Sequence, residues 1–201
     1  AGRANVDSVL PSISGGTGGW ALYHSERIGY TRISVWWKVT SLGASESLPT
    51  VSPGSYTVAN VIVHGWYSST ADAFAADPFD GAATKALTSS TSSPASAAGF
   101  TATNDNTRVF ALFAQGHATS GSATCTYSTG PAATAAGSIL RQGTSTTRVW
   151  QAAFHGLRAA GATGNETATI GVAAVDATYP VVGIQIGLKP TGASSATYTE
   201  T

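Results

Sequence analysis

The chain has 201 residues, and its ten basic and ten acidic side chains cancel. Charged residues make up only 10% of it, against about a quarter in an average soluble domain. Without a basic excess there is no electrostatic footprint for a nucleic-acid binder, and no run approaches the roughly 20 apolar residues of a membrane-spanning helix. Ala (35), Thr (28), Ser (24) and Gly (23) supply more than half of the chain. Branched and aromatic residues nevertheless recur at short intervals, which argues for order over disorder. At this length a folded chain hides about 70% of its extended surface, so a hydrophobic core needs no staples.

Residues 1–14 read as an N-terminal arm. Val6 to Ile13 is too short and too polar for the apolar core of a signal peptide. After the turn-rich cluster Gly15 to Gly19 come short runs of β-forming residues separated by Gly, Pro, Ser and Thr. Trp20 to His24 is the first expected strand. In Tyr30 to Val39, Ile33, Val35, Trp37 and Val39 share one face, and Arg32, Ser34, Trp36 and Lys38 share the other. That period of two marks a half-buried strand. Further strands are expected at Tyr56 to Trp66, Arg108 to Gln115, Ala123 to Tyr127, Ser138 to Arg141, Thr147 to His155 and Glu166 to Ala174. In Val181 to Leu188, Val182, Ile184, Ile186 and Leu188 are expected inward, and Gly183, Gln185 and Gly187 outward. Helix is limited to single turns, one capped by Thr70 and stopped by Pro78, another at Pro131 to Gly137.

Many short strands with regular turn signals predict an all-β fold, an antiparallel β-sandwich of jelly-roll type over residues 15–190. Residues 191–201 form a polar tail. Thr31-Arg32-Ile33 and Thr147-Arg148-Val149 each open an aromatic strand, followed by a small-residue loop and a Tyr-led strand. This echo predicts two related halves, 15–100 and 101–190, with Thr31 to Val39 equivalent to Thr147 to His155. The low charge and the long termini predict self-association, with both ends contacting other chains.

No catalytic, cofactor or metal site is legible. The histidines His24, His64, His117 and His155 stand at no metal-ligand spacing. Asp72, Asp77 and Asp80 make an oxygen-rich loop, but the calcium-loop spacing is missing and Pro78 and Gly81 read as turn residues. Cys125, the single cysteine, permits no internal disulfide and reads as a small thiol in a strand. Asn165-Glu166-Thr167 is formally a glycosylation sequon, relevant only in a secretory pathway. No nucleophile elbow, phosphate loop or dinucleotide fingerprint occurs. The five tryptophans are the informative residues. Adjacent Trp36 and Trp37 must face opposite ways, so Trp36 leaves the main core. Trp36, Trp66 and Trp150 are the expected interface or sugar-stacking residues.

One series of motifs resembles a known class. Gly18-Gly19-Trp20-Ala21-Leu22-Tyr23, the strand Arg32 to Val39, Val61-Ile62-Val63-His64-Gly65-Trp66 and Asp77-Pro78-Phe79-Asp80-Gly81 follow in that order. The series closes on an apolar strand ending Leu188-Lys189-Pro190. It is similar to β-rich virion surface proteins of tailed bacteriophages, of the decoration or minor tail type. His64-Gly65-Trp66 stands where those proteins carry an arginine-glycine pair. The resemblance implies a structural, non-enzymatic accessory protein on the particle surface, contacting its own copies and other virion proteins. The rival expectation is a carbohydrate-binding module for host adsorption. Neither reading calls for a cofactor, a nucleic acid or a membrane.

Overall fold

The computed structural model describes residues 2–3, 11–15, 19–38, 49–52, 54, 58–59, 64–66, 78–81, 88–117, 124–129, 139–142, 148–171, 177–190 and 198–200. These residues form strands and connections, with no helix among them. The two helical turns expected near Thr70 and Pro131 lie outside the described residues, as does Val39.

In chain order the strands are β1 (Gly2–Arg3), β2 (Ser12–Ser14), β3 (Ala21–Ile28), β4 (Thr31–Trp37), β5 (Thr50–Ser52) and β6 (Val58–Ala59). Next come β7 (His64–Trp66), β8 (Thr88–Ser90), β9 (Ala95–Ala97), β10 (Thr101–Ala102), β11 (Thr107–His117) and β12 (Thr124–Thr129). The last are β13 (Ile139–Gln142), β14 (Arg148–Arg158), β15 (Gly161–Ala162), β16 (Glu166–Gly171), β17 (Val181–Leu188) and β18 (Tyr198–Glu200). Every pairing is antiparallel.

Three sheets stack. The central one runs β13-β14-β11-β17-β8, flanked by β3-β4-β1-β6 on one face and β12-β16-β9 on the other. Against the first flank it presents Ala114, Val182, Ile184 and Ile186, which meet Tyr23 and Ile33; Ile28, Val35, Trp37 and Leu112 pack around them. Against the second it presents Ala111, Phe113, Ala152, Phe154 and Val181, which meet Ala95, Ala97 and Ala168. The all-β, antiparallel expectation describes these residues, and the stacked sheets agree with a sandwich whose central sheet is covered on both faces.

The third layer corrects the reading of the last long strand. Gly183, Gln185 and Gly187 are buried like their apolar neighbours, because β17 is covered on both faces. Gln185, only 3% exposed, is satisfied inside: its amide donates to the carbonyls of Ala97 (2.9 Å) and Gly164 (2.8 Å), and Thr163 Oγ1 donates to its oxygen (3.1 Å). Arg32, expected outward, is also buried, and its Nη1 donates to Ser25 Oγ at 2.7 Å.

Described residues near each end pair with strands of the same chain. In the expected N-terminal arm, β1 lies between β4 and β6, and β2 pairs with β5. The expected tail supplies β18, which pairs with β7 and sets Tyr198 opposite Trp66.

Two short pieces lock the layers. Gly29 and Tyr30 join β3 to β4, and φ is positive (56°) at the glycine alone, as in a type II′ hairpin turn. Tyr30 N donates to Thr178 O at 3.3 Å, which ties this turn to the segment entering β17. At the far end of β17, Asp80 N donates to Gly187 O (3.0 Å) and Lys189 N to Pro78 O (2.8 Å). Phe79 between them stacks on Tyr23 (3.9 Å between centroids) and meets Trp37 edge-on (5.3 Å).

Candidate functional site

The flank sheet β3-β4-β1-β6 turns one face to the core and the other away from it. On the outer face Trp36 lies opposite Leu22, the more exposed of the two at 55%. Trp36 is half-buried. One row further, Ser25 and Ser34 hydrogen-bond at 2.7 Å; beyond them Arg27 faces Arg32. At the opposite end Lys38 Nζ sits over the Trp20 ring, 5.3 Å from its centroid. A single extra residue in β3, Tyr23, makes a bulge against β4, and its ring is buried with Phe79 and Ile33. The bulge therefore lets one strand feed the core at Tyr23 while Leu22 and Ser25 stay on the outer face.

The other two tryptophans stand elsewhere. Trp66 is in β7, paired with β18, and Trp150 is in β14 of the central sheet, opposite Gln115 and Gln142. The three expected contact residues thus occupy three different sheets, and Trp36 is the one whose side chain is described.

Polar groups that sequence reading left scattered are assembled inside. Asp80, with no exposed surface, accepts from the backbone N–H of Thr103 (3.2 Å) and of Asn104 (3.1 Å), and from the Asn104 amide (2.9 Å). The hydroxyls of Thr103 and Thr107 donate to it as well. Burial raises the pKa of this carboxyl, but the hydrogen bonds from Thr103, Thr107 and Asn104 outweigh that and bring it down to about 2. Its neighbours are all donors, the wrong chemistry for holding a cation, so Asp80 is a fastening for the turn before β11. Asp72 and Asp77 lie outside the described residues.

The second assembly is an ion pair between Arg158 and Glu166, joining β14 to β16 with both residues buried. Beside it His155 Nδ1 meets Arg108 Nη1 at 3.1 Å. A void of about 10 Å³ lies against Arg158, Glu166 and His155, at the lower limit of room for one water. His24, the other described histidine side chain, pairs with Glu26 at 3.1 Å. Among the described residues no three of His, Cys, Asp and Glu converge on a point that could hold a metal. Asn165 of the sequon uses its carbonyl oxygen to cap Gly99 N at 3.1 Å. Sequence spacing gave no hint of these pairs, since Arg158–Glu166 joins two different sheets and Asp80–Thr107 joins a connecting segment to β11.

Comparison with protein-family models, with curated proteins and with solved structures gives no match.

Proposed function

We propose that the chain is a structural accessory protein of a bacteriophage virion, decorating or cementing the capsid or tail surface. The observation that carries this reading is the outer face of the flank sheet, where Trp36 and the exposed Leu22 form an apolar pair on a chain with few charges. Tryptophan anchors beside aliphatic contacts are typical of the energetic centres of protein interfaces. The serial resemblance of residues 15–190 to phage surface proteins supports the same reading. The protein works by surface contact and carries no reaction, and its partners are its own copies and other virion proteins.

An antibody to the chain should label intact purified particles in electron micrographs. Trp36→Ala, folded by circular dichroism, should lower its occupancy on them. Unlabelled particles, with selective binding on a glycan array, would overturn this in favour of a carbohydrate-binding module.

A further inference from the structure

We propose that the contact of His155 with Arg108 is an acid-operated switch: a proton taken up by His155 breaks it and loosens β14 from the flank sheet that covers it. Sheet register builds the contact. Phe110 stands opposite His155, and Arg108, two places along β11 from Phe110, is its diagonal neighbour on the same face. Diagonal neighbours lie within reach of a long side chain. The imidazole is only 5% exposed. The Phe110 ring packs on it, 5.8 Å between centroids, and Arg108 Nη1 meets its Nδ1 at 3.1 Å.

The chemistry of this contact fixes the charge of the ring. A guanidinium has donors and no acceptor, so Nδ1 accepts and the imidazole carries its one proton on Nε2. An imidazolium carries N–H on both nitrogens. Protonation therefore turns the hydrogen bond into two facing cationic donors in a site with little solvent, where an unmatched charge is costly. The neighbouring elements add cations. β1 and β6 of the flank sheet and β11 and β13 of the central sheet pack against β14. Their ionisable residues are Arg3, Arg108, Arg141 and, at the far end of β11, His117. Glu166, the acid bordering this end of β14, is matched by Arg158. His24, by contrast, faces Glu26 and keeps that contact when charged. The ladder between β11 and β14 runs eleven residues on each strand, while β1 and β6 contribute two each. The cover therefore yields before the ladder does.

The sign follows from proton counting. An unfolded chain protonates histidine near pH ~6.5, while the folded chain holds His155 neutral. The unfolded state then binds more protons below that pH, and stability falls on acidification. The loss belonging to Asp80 lies lower, toward pH 2, so the two are separable. Proton–nitrogen correlation spectra of the full chain should show His155 as the neutral Nε2–H tautomer at neutral pH. Its unfolding equilibrium constant in urea should rise by up to about ten-fold per pH unit below pH ~6.5, relative to His155→Asn. That variant offers Arg108 an acceptor oxygen but takes up no proton. Arg108→Met removes the facing cation and should shrink the excess with His155 still present. Hydrogen exchange, corrected for intrinsic rates, should show acid opening β1 before β17. An imidazolium at neutral pH would overturn the proposal, as would parallel pH profiles for wild type and His155→Asn. So would an undiminished excess in Arg108→Met, or layers that open together. The switch rests on the fold alone, so particle labelling can fail while it stands.

Discussion

Asp80 accepts five hydrogen bonds in a site without solvent, so its charge matters more than its size. Asp80→Asn presents an amide donor to groups that are themselves donors, and should cost about 1–3 kcal/mol in chemical denaturation. The pH dependence has a definite sign. The folded-state pKa, about 2, lies below the ordinary value of 3.8, so the stabilisation is complete above pH ~4 and is lost as pH falls toward 2. Wild-type stability should drop across that window, and Asp80→Asn should lack this share of the drop. Arg158 and Glu166 behave differently, because each removes the burial cost of the other. Glu166→Ala leaves a buried guanidinium and should cost roughly 3–5 kcal/mol, while Arg158→Met with Glu166→Leu together should cost much less. A double-mutant cycle by urea denaturation measures the difference.

At the scale of elements, what was legible is what side chains advertise. The strand Val181–Leu188 was found to its ends, because branched residues at every second position can serve little else. The strand expected over Arg108 to Gln115 runs on to Thr107 and His117. Thr88–Ser90 and Ala95–Ala97 gave no signal. In Ala95–Ala97 small residues are required by close approach: a Cβ on Gly183 would lie 2.7 Å from Ser96 O and 3.0 Å from Ala97 Cβ. Composition hides such a strand as a loop, since the partner that demands small residues is nearly 90 positions away. Gly183→Ala should therefore be destabilising by about 1–3 kcal/mol, although alanine is common all around it. Phe113, which fills the space opposite Gly183 with no exposed surface, should cost roughly 3–5 kcal/mol as Phe113→Ala. Trp37→Ala should cost less, because Trp37 is half-buried. Thermal or urea denaturation of the three variants would rank them. For the site, sequence alternation placed Trp36 on the outer face, but the Leu22 opposite it came from a register that a bulge shifts.

For the whole molecule, two of the sheets share an order of strands. In the flank sheet a strand, β1, is followed by the hairpin β3–β4, whose second strand returns to pair with β1, and β6 takes β1's other edge. In the central sheet β11 is followed by the hairpin β13–β14, whose second strand returns to β11, and β17 takes the other edge. The strands expected to be equivalent, Thr31 to Val39 and Thr147 to His155, thus hold the same place in the two orders.

Stacking one such sheet between two others has a consequence for time as well as for structure. The amides of Val182 and Ile184 lie in a strand paired on both edges and covered on both faces. No local fluctuation short of removing a layer admits water to them. Their deuterium uptake should follow global unfolding, while amides of β2, paired in the described structure with β5 alone and half-buried at most, should exchange through smaller openings. Hydrogen exchange followed by mass spectrometry would then show the middle layer keeping its protons longest, a record of the last part of the molecule to let solvent in.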